Sequence, residues 1–174
     1  MKAILFLLSA LGITLSILAQ QNKNVRLYGY SQIVIPGVAP RDIIMEGGQQ
    51  IPVERKQRKN TWVYLTFPSN VPLKQCELYI NGKKYNIEAQ FITKTPVTYT
   101  DYNIPAFPKT IEMVPTTPDK VLQLILTKEL SFKPNSRLSK LLKEHEVVVS
   151  YILHGKKYYT TVTKLANIEP AVAS

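Results

Sequence analysis

A two-residue turn at Asn81-Gly82 is the feature that most restricts what this chain can fold into. Asn and Gly accept the positive φ angles of a type I′ turn, which joins two antiparallel strands in a fixed register. The turn predicts three cross-strand pairs, which are Ile80 with Lys83, Leu78 with Tyr85, and Cys76 with Ile87. These pairs place their apolar side chains on one face, so the turn and the hydrophobic pattern both indicate an antiparallel hairpin.

A second hairpin is predicted at His154-Gly155, which also offers a flexible two-residue turn. Its register gives four pairs, which are Leu153 with Lys156, Tyr151 with Tyr158, Val149 with Thr160, and Val147 with Val162. Alternating hydrophobicity predicts further strands at 25–35 and 62–67, and shorter strands at 43–45, 51–53, 97–102 and 111–114. Residues 121–127 are apolar on both faces, which is typical of a central strand.

One helix is predicted near 136–145, where Asn135 follows Pro134 and leucines recur at helical spacing. We expect this helix to close one end of the fold. Many short strands separated by turn residues predict an all-β protein, an antiparallel β-sandwich of immunoglobulin-like type. The Cys…Trp…Cys pattern of immunoglobulin domains is missing, so that name depends on analogy of fold alone.

The first residues have the order of a secretory signal peptide: Lys2, an uncharged apolar stretch, and Ala19 before a polar run. A retained membrane anchor is the alternative, but the apolar stretch is at the lower length limit for a membrane-spanning helix. We therefore expect cleavage after Ala19, export to the periplasm or the medium, and a mature protein that does not span the membrane. Removal of residues 1–19 leaves 21 basic and 12 acidic side chains, a formal charge of +9.

The predicted organisation is a signal peptide at 1–19, a short lead at 20–24, one sandwich domain at 25–165 and a C-terminal tail at 166–174. Five prolines lie between residues 93 and 120. Because proline donates no hydrogen bond to a sheet, this stretch is either a crossover within one domain or a linker between two. We favour the crossover, since two halves of about 70 residues each would be marginally stable without disulfides.

Residues that carry catalytic or metal chemistry are sparse. One cysteine excludes an internal disulfide, and two histidines leave little material for a metal centre. The chain has no phosphate-binding glycine loop, nucleophile elbow or zinc-protease motif. The cluster Glu144-His145-Glu146 is best interpreted as a helix end followed by a strand, because adjacent side chains diverge. We therefore expect no enzyme activity, no catalytic residue, no cofactor and no metal, and Cys76 as a small buried side chain.

Positive charge is concentrated just before the strand at 62–67, at Arg55, Lys56, Arg58 and Lys59. These four cations, with Trp62 as a nearby stacking surface, predict a site for an anionic ligand. The alternative is a solvated cluster that maintains solubility and protects an exposed strand edge. For an exported protein the available anions are acidic glycans, lipid headgroups and acidic protein surfaces, and nucleic acid is not expected.

Besides basic residues, the chain is also rich in tyrosine, with 10 residues. Four of these side chains fall on the polar faces of their predicted strands: Tyr28, Tyr30, Tyr64 and Tyr79. Aromatic rings there either anchor a partner or a sugar, or are covered by a second packed layer.

Two classes of function remain. The first is an exported, non-catalytic β-sandwich protein that acts by protein–protein contact as an accessory or structural component of the bacterial cell envelope. Its partner would be another envelope or secreted protein, bound in part through strand edges. The alternative is a periplasmic or secreted binding module for an acidic glycan or lipid headgroup, with the basic loop as its site. Salt distinguishes them, because it weakens anion binding much more than apolar contact.

Overall fold

The computed structural model describes residues 24–36, 43–46, 49–52, 57–101 and 108–173. The predicted signal peptide at 1–19, nearly all of the lead at 20–24, and Arg55 and Lys56 lie outside the described residues. In chain order the elements are β1 (Arg26–Pro36), β2 (Ile43–Glu46), β3 (Gln49–Pro52), β4 (Arg58–Phe67), β5 (Lys74–Ile80), β6 (Lys83–Ile92), β7 (Val97–Asp101), β8 (Lys109–Val114), β9 (Lys120–Leu130), α1 (Ser136–Glu144), β10 (Val147–Leu153), β11 (Lys156–Val162) and β12 (Ala166–Ala173). The predicted all-β architecture with one short helix is confirmed.

Eight of the described strands form one curled sheet in the order β11-β10-β5-β6-β9-β4-β1-β12. Two small sheets, β2 with β3 and β7 with β8, complete the described strands. Neighbours in the main sheet run antiparallel, except that β12 runs parallel to β1. The curl brings β1, the second-last strand at one end of this order, close to β11, the strand at the opposite end. One face of the sheet is therefore enclosed, which gives the sandwich-like arrangement.

The side chains enclosed by the curl form the inner core, whose fully buried members include Val63, Leu65, Leu78, Val147 and Val149. Burying such a side chain contributes about 1.5–3 kcal/mol relative to leaving it exposed. Gly29 of β1 is buried beside this core. A Cβ atom at Gly29 would lie 2.8 Å from Cδ2 of Leu165, so the missing side chain allows the close approach of β1.

The opposite face of the sheet carries the outer cluster, whose buried members are Tyr64, Met113, Val114, Val121 and Ile168. The hydroxyl of Tyr30 donates to the carbonyl oxygen of Met113 at 2.7 Å. The hydroxyl of Tyr99 donates to Oε1 of Gln32 at 3.1 Å. The proline-rich stretch at 93–120 thus supplies the β7–β8 pair that covers this face.

Helix α1 is capped by Asn135, whose Oδ1 accepts a hydrogen bond from the backbone N–H of Leu138 at 2.8 Å. Leu138 and Leu141 are buried against Tyr79 and Tyr159. The helix therefore covers the outer face of β5, β10 and β11, and the expectation that it closes one end of the fold is wrong, because those aromatic side chains offer it an apolar surface. In the part of the chain that the structure describes, no helix combines the length and the apolarity needed to cross a bilayer.

Both predicted hairpins form, and Asn81 and His154 adopt positive φ angles as the turns require. All four predicted pairs between β10 and β11 are observed. Between β5 and β6 the first two predicted pairs are observed, but the third, Cys76 with Ile87, is wrong. Strand β5 has separated from β6 by that point and changes direction at Gln75, which has a φ of 49°.

The segment at 166–174, predicted as a tail outside the domain, contributes strand β12 to the sheet. Ile168 is buried in the outer cluster, and the hydroxyl of Ser31 donates to Oδ1 of Asn167 at 2.9 Å. The register with β1 shifts between Gln32 and Val34, next to Pro170. A proline at such an irregularity is ordinary for an edge strand, but it obscures the strand pattern in the sequence.

Candidate interaction site

The predicted basic site lies only partly within the described residues. Arg55 and Lys56 fall outside them, whereas Arg58 and Lys59 open strand β4. Both of these side chains are exposed. Among the described residues, no carboxylate forms an ion pair with either cation. Within the described ranges, the start of β4 therefore presents two exposed positive charges that no carboxylate neutralises.

Trp62 lies farther along β4 and is half-buried. Its ring packs against Tyr99 of β7, with 5.3 Å between the ring centroids and an angle of 49° between the planes. Trp62 also lines a groove between β4 and β9, together with Ile125 of β9. The ring therefore belongs to the outer cluster and to the groove wall at the same time.

The groove exists because β4 and β9 separate. These two strands pair only over Tyr64–Phe67 and residues 120–123. Beyond that point β4 remains paired with β1 as far as Arg58, and β9 remains paired with β6 as far as Leu130. We call the opening between them the split. It holds a groove of about 450 Å³, lined by Lys59, Asn60, Thr61, Trp62, Gln123, Leu124, Ile125 and Leu126.

Each wall of the split is a strand edge that pairs with no other strand in the part of the chain that the structure describes. Residues 58–63 of β4 and 124–130 of β9 have a strand partner on one side, and no other described strand pairs with the edges that face each other. Unpaired N–H and C=O groups on a strand edge are a template for an added strand. The volume of the groove also lies within the range of about 300–1,000 Å³ that is typical of ligand sites. The split can therefore accommodate an extended chain.

The β9 wall is apolar and partly open to solvent. Ile125 is 36% exposed, although the sequence pattern places it in a strand with apolar side chains on both faces. Sequence reasoning interpreted this strand as central and therefore missed Leu124, Ile125 and Leu126 as site residues. Leu124 is buried in the inner core, whereas the exposure of Ile125 and the partial exposure of Leu126 depend on where β4 separates from β9, and no local pattern reports that separation.

The tyrosines on polar faces are covered by packed elements. Tyr64 and Tyr79 are only 4% and 2% exposed. Tyr28 and Tyr30 pack in the outer cluster beneath β7 and β8, and Tyr79 packs beneath α1. Of the two interpretations of these rings, the covering layer is the one that the structure shows.

A second polar cluster surrounds Glu77 and ties four strands together. Its carboxylate accepts hydrogen bonds from Lys84 at 2.6 Å, Ser150 at 2.9 Å and Tyr79 at 3.2 Å, and from Lys157. Burial alone would raise the pKa of Glu77, but the hydrogen bonds from the lysines and Ser150 outweigh it and lower the pKa to about 2. Burial and the Glu77 charge together raise the pKa of Tyr79. Glu77 is thus an anion at neutral pH that joins β5, β6, β10 and β11.

The acid–histidine cluster has structural contacts. Oε2 of Glu146 accepts a hydrogen bond from the backbone N–H of Leu165 at 2.7 Å, and Nδ1 of His145 lies 3.3 Å from the hydroxyl of Thr163. Within the described ranges, no group of three or more His, Cys, Asp or Glu side chains is placed to hold a metal ion. Cys76 is partly buried against the inner core, and burial raises the pKa of its thiol.

Comparison with protein families, with curated proteins and with solved structures finds no match to this chain. Any role for the split is therefore inferred from its own geometry. That geometry combines two open strand edges, the apolar wall of β9 and the exposed cations of β4.

Proposed function

We propose that this protein is a non-catalytic interaction protein that binds an extended segment of a partner protein in the split between β4 and β9. The observation that carries the proposal is a groove of about 450 Å³ between two strand edges that no other described strand pairs with. A bound segment would gain main-chain hydrogen bonds from the edges and apolar contact from Ile125 and Leu126, which are exposed and partly buried, respectively.

The partner is proposed to be another envelope or secreted protein of a bacterium. Support comes from the signal-peptide pattern of the first residues, which favours export. In that setting the protein would act as an accessory or structural component of the cell envelope. The groove and the strand edges beside it would provide the binding surface for the partner.

Binding of an acidic glycan or a lipid headgroup is a second candidate function. Arg58 and Lys59 favour it, since both are exposed and free of carboxylate partners among the described residues. Retention on such an anion should fall steeply as salt rises, and Arg58→Gln with Lys59→Gln should weaken it. Retention that does not respond to salt or to these changes contradicts this candidate.

Site-specific photo-crosslinking in the source cells tests the leading proposal. A benzophenone amino acid at position 125 would face the split, and the same amino acid at Phe91, which is 60% exposed on β6, is the matched control. We expect a discrete protein adduct from position 125 and none from position 91. Equal adducts from both positions, or none from position 125, would contradict binding in the split.

A further inference from the structure

The chemistry of the bound segment follows from the register at which β4 and β9 separate. Within the paired region, Tyr64 lies opposite Gln123 and Leu65 opposite Leu122. Continuing the same register into the split would place Lys59 opposite Lys128. Both residues have the strand parity of Leu65 and Leu122, so their side chains would meet on the same face of the sheet.

Two lysines directly opposite each other disfavour closure of the two strands. Like charges at facing positions of an antiparallel pair repel, and this repulsion destabilises the pairing. Lys59 and Lys128 are both exposed, and neither has an ion pair with any described carboxylate. On the other face the continued register would place Arg58 opposite Glu129, but Glu129 already pairs with Lys83 at 2.9 Å. The mouth of the split therefore has two cations that pair with no carboxylate in the described ranges, and their repulsion disfavours closure.

The lining of the groove contains no acidic side chain to neutralise these cations. Its members are one lysine, four polar or aromatic residues of β4 and β9, and three apolar residues of β9. Ile33, which pairs with Lys59 across β1 and β4, adds an exposed apolar side chain beside the cation. A complementary strand would thus present apolar side chains along the groove and a negative charge at its mouth.

We propose that the segment bound in the split is an extended strand with an Asp or Glu side chain placed between Lys59 and Lys128. This inference rests on the proposed function and specifies its partner: the carboxylate replaces lysine–lysine repulsion with two ion pairs. Inserting a strand requires the walls to stand about 10 Å apart, twice the spacing of neighbouring strands. The charge pair keeps the walls from closing before the segment arrives.

Selection from a displayed library of random peptides of about ten residues, the length of one strand, tests the inference. The purified protein serves as one bait, and the double variant Lys59→Glu with Lys128→Glu serves as the second. Lys133→Glu with Lys140→Glu is the matched control, since both of those lysines are exposed near α1 and far from the split in the sheet order. Occupancy is measured by the fluorescence of Trp62, which is the only tryptophan of the chain and lines the groove.

We expect the unaltered protein and the control to enrich apolar peptides that contain Asp or Glu. The double variant should instead enrich apolar peptides that contain Lys or Arg. Each single change of Lys59 or Lys128 to Gln should weaken an enriched acidic peptide by about two- to fivefold, as for an exposed ion pair. Peptides that change Trp62 fluorescence but show no acidic preference would overturn the charge inference and leave the proposed function standing. If no enriched peptide changes Trp62 fluorescence, and position 125 gives no adduct in cells, the inference and the proposed function both fail.

Discussion

Replacing Glu77 with Gln tests how much its half-buried carboxylate stabilises the sheet. The folded protein lowers the pKa of Glu77 from 4.5 to about 2, because hydrogen bonds from two lysines and Ser150 outweigh the effect of burial. At about 1.4 kcal/mol per pKa unit, this shift corresponds to an upper limit of about 3.5 kcal/mol. The side chains of Glu77 and Lys157 are 28% and 45% exposed, so solvent screening lowers the expected loss to about 1–2 kcal/mol.

The loss of unfolding free energy in Glu77→Gln should be larger at neutral pH than near pH 2. Since the pKa of Glu77 is lower in the folded state, its stabilisation is present above pH 4.5 and disappears as the pH falls toward 2. Urea unfolding of both proteins at neutral pH and near pH 2 measures this difference. Glu129→Gln is the control, because its pair with Lys83 is exposed and screened by solvent, so its removal should change stability little at either pH. Equal losses for Glu77→Gln at both pH values would refute the reasoning.

Two further changes test packing in the inner core. Tyr151→Phe should raise the free energy of unfolding by about 1 kcal/mol in urea, because the buried Tyr151 hydroxyl has no hydrogen-bond partner among the described residues and burial raises its pKa to about 12. A loss of stability would mean that the hydroxyl is satisfied. Gly29→Ala should lower the free energy of unfolding by about 1–3 kcal/mol, because the new Cβ would lie 2.8 Å from Leu165. In a double-mutant cycle the cost of Gly29→Ala should shrink when Leu165 is also changed to Ala, and strict additivity would contradict the contact.

The sequence predicts the parts of this fold that are determined locally. The turn at His154-Gly155 sets the register of β10 and β11, and all four predicted pairs are observed. The partners of β9 and β12 are not determined locally, since they depend on which distant strand packs alongside. Residues 166–174 therefore appeared to be a tail, although β12 pairs with β1.

The candidate site divides in the same way. A run of basic residues before an aromatic strand identifies Lys59 and Trp62, and both line the groove. The opposite wall was missed because the apolar run around Ile125 has the pattern of a fully covered strand. No sequence pattern identifies Lys128 as a site residue. Its role follows only from the register of β4 and β9, which would place it opposite Lys59.

The parallel pairing of β1 with β12 has a consequence for the order in which the chain can fold. Asn167 follows Ser31 by 136 residues, and the two side chains are joined by a hydrogen bond. A chain that emerges from a ribosome or a translocation channel residue by residue completes β4 long before β12. The edge of β1 that pairs with β12 must therefore remain unpaired until β12 has been made. During that interval it can pair with another strand and misassemble. Completion of the sheet is a late, long-range step, as expected for a fold dominated by distant contacts.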